Sequence, residues 1–464
     1  MKYVSITFKS LLALSMLVFF AAAGSTPVHA FTYEEERQLG KEIYEKIRDA
    51  GLLIEDEELN SYITEIGKRL LSYDNVYPFD FTFSVIRSSG INAFATPGGY
   101  VYLYTGLINL AENECHIAGV MAHEIAHVNA RHVARMIEKS KRHTIGTLAA
   151  MVAGAFLGGG EGLAAATGLA TATSVTMSLK YSREHEEEAD RLGMAYLTGA
   201  GYDGKGMLDF LKIMDFNQYY SSSIPTYFLT HPETSERVRY LTLLLQTRYN
   251  QEGAGEIFGG LERYQTRLRL RYHQPRDNVR YFSERVSRNP DDLEALYGLA
   301  VSQHRMGEVG PSRRNFSRAL ELNPNDWEIL RDFGIHLFQQ GSIEEALGPL
   351  EKARSLKGDD RDILFYLGRT YESIGEYGTA LDIFKKINEM DAEDKDTYYH
   401  LAMIYGKMDQ LGESHYHFGQ FFKRAGKKES AMFHFKTALG YFPESSPRVV
   451  EIRREMESLQ PDEG

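Results

Sequence analysis

The sequence predicts a mainly α protein in two parts: an α+β domain with a small β-sheet, then an all-α solenoid of paired-helix repeats. Three observations predict this. Apolar residues recur at helical spacing through most of the 464 residues. Only two short stretches, near 79–86 and 100–104, carry the alternating or β-branched and aromatic pattern of strands. Small residues return every 34 positions in the C-terminal half, a period that belongs to stacked helix pairs. The length exceeds what one ordinary core fills. A composition of 43% hydrophobic, 12% aromatic and 25% charged residues excludes wholesale disorder.

The first thirty residues read as a leader rather than as fold. Lys2 and Lys9 give a basic start, an apolar run follows from Leu11 to Ala23, and Val28-His29-Ala30 offers small residues at the positions a signal peptidase reads. The expected cut is after Ala30. The apolar run is short for a membrane span, which speaks against an uncleaved anchor. No cysteine follows it to carry a lipid. The formal net charge is −12, and removing a leader with two lysines and no acid makes the remainder more acidic. Phosphates would repel such a chain, so nucleic acid is excluded as a partner. Cys115 stands alone and has no internal disulfide partner. An exported protein of this size without disulfides fits a bacterial periplasm.

Within the first part, Leu39, Ile43 and Ile47, then Leu59, Ile63, Ile66 and Leu70, mark helices between Tyr33 and about Ser72. Phe79 to Ile86 alternates as a strand. Asn92-Ala93-Phe94-Ala95-Thr96-Pro97-Gly98-Gly99 reads as a turn-rich link, and Tyr100 to Tyr104 as a second strand. Helix resumes near Asn109, with Ile117 to Met136 strongly helical. Between Arg142 and Lys180 the only charged residue is Glu161. The stretch 144–179 is split by a glycine cluster, and neither half reaches the roughly 20 residues of a bilayer-spanning helix. A buried helical hairpin on the first domain is the favoured reading, with contact to a membrane surface as the alternative.

In the second part Gly307, Gly341 and Gly375 share the 34-residue period, as do Ala300, Gly334, Gly368 and Ala402, and Phe316, Leu350 and Phe384. Ala319 and Ala353 keep a later small position, and Pro324 punctuates. This is the tetratricopeptide (TPR) signature. A last unit with Gly426, Ala431, Phe435, Ala438 and Pro443 starts half a repeat early, so one helix near Gly412 to Lys423 should serve two units. The expected divisions are 256–290 as a degenerate half-repeat or connector, 291–443 as the solenoid, and 444–464 as a C-terminal helix and tail.

The chemistry is carried by His123-Glu124-Ile125-Ala126-His127 in its helical context. Residues four apart share a helix face, so both imidazoles can bind one zinc, with Glu124 placed as general base on the hydrolytic water. On the order of a few per cent of such sequences would hold this pattern by chance, so context decides. A third ligand six residues after His127 is excluded, because that position is Val133. His132, five after, turns to another face and reads as a surface residue, as does His143. The alternative is a carboxylate from a second helix. Ser182-Arg183-Glu184-His185-Glu186-Glu187-Glu188-Ala189-Asp190 opens one, and Glu186, Ala189, Asp190 and Gly193 share a face. Glu186 can ligate, and Asp190 can hold the far nitrogen of a ligand histidine. A solvated acidic helix start accounts for Glu184, Glu187 and Glu188, but not for Glu186 and Asp190. Cys115 reads as a buried core thiol.

These two motifs, with the segment from Asn92 to Tyr104 upstream, resemble the M48 family of zinc metallopeptidases, which are gluzincins. With its repeats the chain is similar to the periplasmic, β-barrel assembly-enhancing branch of that family. The resemblance implies a gluzincin domain over 31–255 holding one Zn2+ per chain. Its ligands would be His123, His127 and Glu186, its base Glu124, and Asp190 would support a ligand. It implies that Tyr100, Val101 and Tyr102 lie on an edge strand that holds an extended peptide, with Asn92 to Gly99 shaping the approach.

Phe228-Leu229-Thr230-His231-Pro232 matches a further family segment. From spacing alone, Thr230 and Glu233 read as a capping box of a helix starting at Pro232, with His231 a bland part of that start. The resemblance implies instead that His231 can reach the zinc as a fourth ligand and block the water site, or assist catalysis. Arg237 would then face the site and stabilise an oxyanion, or form a structural salt bridge. The expected function is endoproteolysis of unfolded or misassembled outer-membrane proteins in the periplasm, with the TPR groove docking substrate, or a protein partner such as outer-membrane assembly machinery. A chaperone-like scaffold with a mostly latent protease is the alternative.

Overall fold

The computed structural model describes residues 31–73, 77–139, 180–220, 227–232 and 234–459. The leader 1–30, His143, the stretch 144–179 and the end of the tail lie outside the described residues. The chain divides into two compact units, one up to Gln265 and one from Thr266.

The first unit runs α1 (Tyr33–Asp49), α2 (Glu57–Leu71), β1 (Thr82–Ile86), β2 (Ala93–Thr96), β3 (Tyr100–Tyr104), α3 (Thr105–Leu110), α4 (Glu114–Asn129), α5 (His132–Lys139), α6 (Arg183–Gly199), α7 (Lys205–Tyr220), α8 (Tyr227–Thr230) and α9 (Thr234–Thr247). Side-chain caps start several of these helices. Thr32 and Glu35 form a capping box at α1, Asn113 accepts from His116 N at α4, and Ser182 accepts from His185 N at α6. Leu39, Ile43 and Ile47 of α1 are fully buried against Phe94, Tyr102 and Tyr104 of the sheet. Each such aliphatic side chain contributes about 1.5–3 kcal/mol by leaving water.

Two sequence expectations are corrected in the sheet. Ala93–Thr96, read as part of a link, is a strand, paired antiparallel to β3. The strand order is β1-β3-β2, with β1 parallel to β3. Tyr100–Tyr104 is therefore the central strand and not an edge. Both of its sides are hydrogen-bonded within the sheet, so it has no backbone edge left for a peptide. Val101 and Tyr102 are buried core residues. The physical reason is that the two glycines after Pro97 fold β2 back onto β3, a pairing that residue preferences alone do not reveal.

The helix around His123 is also shorter than expected. It ends at Asn129, and Arg131 takes a left-handed backbone conformation (φ 54°) before α5 starts. At its other end the buried carboxylate of Glu114 is saturated by donors. Tyr62 Oη (3.2 Å), Tyr202 Oη (2.7 Å) and the backbone N–H groups of Ile257, Phe258 and Gly259 all donate to it. A carboxylate accepting this many bonds tolerates burial, and it ties segment 257–259 to the start of α4.

The chain then forms α10 (Leu261–Tyr272), α11 (Pro275–Arg288), α12 (Leu293–Arg305), α13 (Val309–Leu322), α14 (Trp327–Gln339), α15 (Ile343–Leu356), α16 (Arg361–Ser373), α17 (Tyr377–Met390), α18 (Lys395–Lys407), α19 (Leu411–Arg424), α20 (Lys428–Leu439) and α21 (Pro447–Glu457). Gly307, Gly341 and Gly375 sit at the turns inside successive helix pairs with φ of 77°, 83° and 86°, a region open chiefly to glycine. Phe316, Leu350 and Phe384 fill the pair interiors and are fully buried. Helix α19 packs on both α18 and α20, so it serves two units. Among the described residues no helix is long and apolar enough to cross a membrane.

Candidate metal centre

Helix α4 is buried along almost its whole length, and its two motif histidines point the same way one turn apart. Their Nε2 atoms stand 2.9 Å from each other. Helix α6 lies against α4, and Gly193 makes that approach possible: a Cβ there would meet the backbone N of His123 at 3.0 Å. The close packing brings Glu186 to the histidines, 3.5 Å from His123 Nε2 and 3.6 Å from His127 Nε2. His231, just beyond α8, places Nδ1 3.0 Å from Glu186 Oε1 and 3.4 Å from His123 Nε2. One ligand atom from each of His123, His127, Glu186 and His231 falls within 4.8 Å of all the others, and all four residues are buried. Both carboxylate oxygens of Glu124 are buried without a hydrogen-bond partner, and Oε1 lies 3.5 Å from His231 Nε2. Buried orphan oxygens beside three converging imidazoles are what a bound cation and its water would satisfy.

The surrounding groups orient these ligands. His123 Nδ1–H donates to Asp190 Oδ1 at 2.9 Å, leaving Nε2 for the centre. Arg237 is buried and pairs with Asp190 (2.7 Å) and Glu186 (2.8 Å). The guanidinium is thus engaged by two carboxylates, which is the salt-bridge reading of the two left open. Tyr227 stacks on the ring of His231 at 4.3 Å, and Tyr181 lies over His127 at 3.9 Å. Tyr181 N donates to Thr230 O, and Tyr227 N to Ile91 O, so the α8 turn leading into His231 is anchored at both of its ends. Thr230 does not cap α9. Its hydroxyl donates back to Tyr227 O, because the chain turns through α8 first and the helix starts only at Thr234.

His132 overturns the surface reading. It is fully buried, with Nδ1 2.8 Å from His127 Nδ1 and Nε2 3.1 Å from Glu188 Oε2. The break at Arg131 re-aims α5 so that a residue five positions on returns to the motif. With His127 Nε2 turned to the centre, its Nδ1–H donates to His132 Nδ1, and His132 Nε2–H donates to Glu188. Arg135 also binds Glu188, at 3.1 Å. Spacing on one continuous helix could not show this contact; the only signal was a second histidine close behind the motif.

The ionisation balance reflects a centre built for positive charge. Burial raises Glu124 above the usual carboxylate range. Burial would raise Glu186 too, but His231 and Arg237 outweigh it and hold Glu186 well below that range. Burial and Arg237 press the His123 proton off, but Asp190 and Glu186 win and lift its pKa to about 9. A divalent metal would displace that proton. Burial lowers His127 and takes His132 down to about 4, so both are neutral near pH 7. Cys115, two turns before His123, is a buried thiol that burial pushes up to about 12, outside the ligand set. Asn92 is buried beside the sheet, and Gly99 closes the β2–β3 turn against Phe79 and Asp80.

Residues 57–244 match the family model described as Peptidase family M48. Residues 305–360 and 332–394 match that of the tetratricopeptide repeat. The Beta-barrel assembly-enhancing protease of Escherichia coli (strain K12) is 36% identical over 221 residues, which are 47% of this chain and 44% of that protein. Mitochondrial metalloendopeptidase OMA1 of Schizosaccharomyces pombe is 28% identical over 183 residues, 38% of this chain and 50% of that protein. Metalloprotease LoiP of Escherichia coli (strain K12) is 28% identical over 188 residues, 40% of this chain and 70% of that protein. The match spans about half the length of the first two. A solved structure of MamA from Desulfovibrio magneticus RS-1 is 20% identical with a TM-score of 0.30, covering 39% of this chain and 93% of that one.

Proposed function

From a chain that carries a peptidase family M48 domain followed by tetratricopeptide repeats, we infer a zinc-dependent endopeptidase of the periplasm. It acts on unfolded or misassembled outer-membrane proteins, and its repeats dock the substrate or a protein partner. The observation that carries this reading is the convergence of His123, His127 and Glu186 beside the unpartnered carboxylate of Glu124. Zinc with N ligands at about 2.0–2.1 Å in a tetrahedron sets neighbouring ligand atoms roughly 3.3 Å apart. The separations of 2.9, 3.5 and 3.6 Å bracket that value. Zinc held there would supply Lewis acidity, polarising the scissile carbonyl and making water acidic enough to ionise near neutral pH. Glu124, one residue from a ligand, takes the proton of the attacking water and passes it to the leaving amine. Asp190 and His132 hold the two histidine rings in register. Arg237 holds Glu186 and Asp190 in place.

His231 supports a latent resting state. Its Nδ1 stands where a fourth ligand would, and its Nε2 faces Glu124. A filled fourth position leaves no room for the hydrolytic water. Withdrawal of the α8 segment would open the site. The same observation favours the second reading, a chaperone-like repeat scaffold whose protease is mostly latent. The export signal in residues 1–30, the resemblance to a periplasmic branch and a relative named for β-barrel assembly support the compartment and substrate class.

The test is metal content together with cleavage of an unfolded outer-membrane protein, for wild type and Glu124→Gln. The variant should keep its zinc and lose at least ~100-fold in cleavage rate, the scale of a lost general base. A zinc-loaded variant within a few-fold of wild type would place the base elsewhere. Absence of zinc from metal-replete wild type would sink the gluzincin reading.

A further inference from the structure

Phe31, the residue that follows the expected leader cut, is held at every group it has. Its ring is buried in the cluster of Leu39, Ile43, Phe94 and Ala134. Its backbone N donates to Glu138 Oε1 on α5 at 2.8 Å, 107 positions away in sequence. Its carbonyl accepts from the guanidinium of Arg131. Arg131 in turn binds the buried carboxylate of Glu36 at 2.6 Å and lies over the ring of Tyr33, 4.4 Å from its centre. The N–H of Thr32 is taken by Glu35 in the capping box of α1, which starts only at Tyr33. Phe31 belongs to no helix or strand; side chains of α5 and of the break before it fix its place.

Around it two carboxylates share one guanidinium. Burial raises Glu36 above the usual carboxylate range against the pull of Arg131, and the charge of Glu138 adds to the rise. Arg135, also on α5, binds Glu188, and among the described residues Glu138 has no lysine or arginine partner. While Phe31 is joined to Ala30, its nitrogen offers Glu138 only an amide dipole. Hydrolysis of that bond by a signal peptidase adds one water across the amide and leaves a carboxylate on Ala30 and an α-ammonium on Phe31. The same nitrogen then carries a full charge, and charge-assisted bonds are roughly twice as strong as neutral ones. We propose that Glu138 is the docking site of this new α-ammonium, and that leader removal thereby locks the Arg131 break that carries His132 to His127. Arg131 is the left-handed residue between α4 and α5 (φ 54°), and it lines one small cavity together with Glu36 and His127. Glu138 is exposed and acts on the centre through α5, as a positioning residue. This rests on reading residues 1–30 as a leader cut after Ala30, and gives the end created by the cut a task of its own.

The experiment compares the whole mature chain starting at Phe31 with one carrying Gly-Ser-Gly-Ser-Ala ahead of Phe31, each with and without Glu138→Gln. At pH 7 the extension should lower the melting temperature of the first unit by about 2–4 °C, the scale of one such bond in a domain of this size. Glu138→Gln should do the same, and the two together should cost no more than either alone. In chelator competition each change should weaken metal retention by up to about 10-fold, the low end for a group that orients a ligand. An unpaired α-amino group titrates near about 7.7–8.0, and pairing raises that value. The stabilisation is therefore present below about 8 and lost as pH rises through the raised value, so the gap between the two starts should close by about pH 10. Equal melting of the two starts, additive losses, a gap that persists at high pH, or metal retention untouched by the extension would each overturn the proposal. Absence of metal from the Phe31 start would sink the metal reading instead, and the melting comparison then decides. Sequencing the N-terminus of the exported protein separates the leader reading: a first residue other than Phe31 ends that reading and the proposal with it, whereas a Phe31 start that melts like the extended chain ends the proposal alone.

Discussion

Both units carry charged pairs on their surfaces, but the first also gathers a buried cluster of titratable groups. In the first, His123, Glu124, Glu186, Asp190, His231 and Arg237 are all buried, drawn from segments up to 114 residues apart. In the second, charged pairs such as Arg313–Glu345 and Arg318–Asp291 sit on the surface, between nearby elements. Exposed pairs of this kind contribute about 0–1 kcal/mol each. Removing one member of a buried set strands the others, at about 3–5 kcal/mol. The candidate metal centre is therefore a place where single side chains matter, while the repeats are held by apolar contacts repeated many times.

The sharpest break in that contrast should come at the ligands. His123→Ala and Glu186→Ala are expected to lose most of the bound metal, read by elemental analysis. Equivalent substitutions in an exposed repeat pair, such as Glu345→Ala, should leave metal and folding intact. Full metal retention in Glu186→Ala would mean that the third ligand lies elsewhere.

His132 comes next. A residue that fixes a ligand histidine through its far nitrogen typically governs 10–100-fold of metal affinity. His132→Ala should show a loss of about that size in chelator competition, with a native circular dichroism spectrum, and Glu188→Gln should show a smaller loss. Unchanged affinity in both would make the buried His127–His132–Glu188 chain a packing feature alone.

His231→Ala should keep its metal, since three ligands remain, and should cleave unfolded protein or itself faster than wild type. Inactivity with metal retained would make His231 a catalytic stabiliser; wild-type behaviour would make its place beside Glu186 a packing feature alone.

The smallest effect is expected in the repeats. Burial lowers His336 to about 4 and, with Arg448 adding to it, His417 to about 3. Both lie below the unfolded value of about 6.5. Between these values the unfolded chain binds more protons, so stability rises with pH there and falls as pH drops below about 6.5. The melting temperature should decline from pH 7 to pH 5, and His417→Gln should shallow that slope. A flat profile would show that these imidazoles find partners on protonation.

Much of this protein was legible in sequence because its determinants are local or periodic. The 34-residue return of Gly307, Gly341 and Gly375 follows from a turn that needs positive φ once per helix pair, whatever surrounds it. His123 and His127 share a face because an α-helix repeats every 3.6 residues. Glu186 and Asp190 stood out because two acids on a small-residue face need partners. Tertiary structure alone decided the rest. Whether Tyr100–Tyr104 was edge or centre depended on how β2 folded back, an interaction between strands and not a property of either. His132 looked exposed because a continuous helix carries position five away; a left-handed Arg131 broke that helix and brought it back. Arg237 and His231 took their places only through tertiary packing against α6, where burial left each polar group a single set of partners able to offset its lost water.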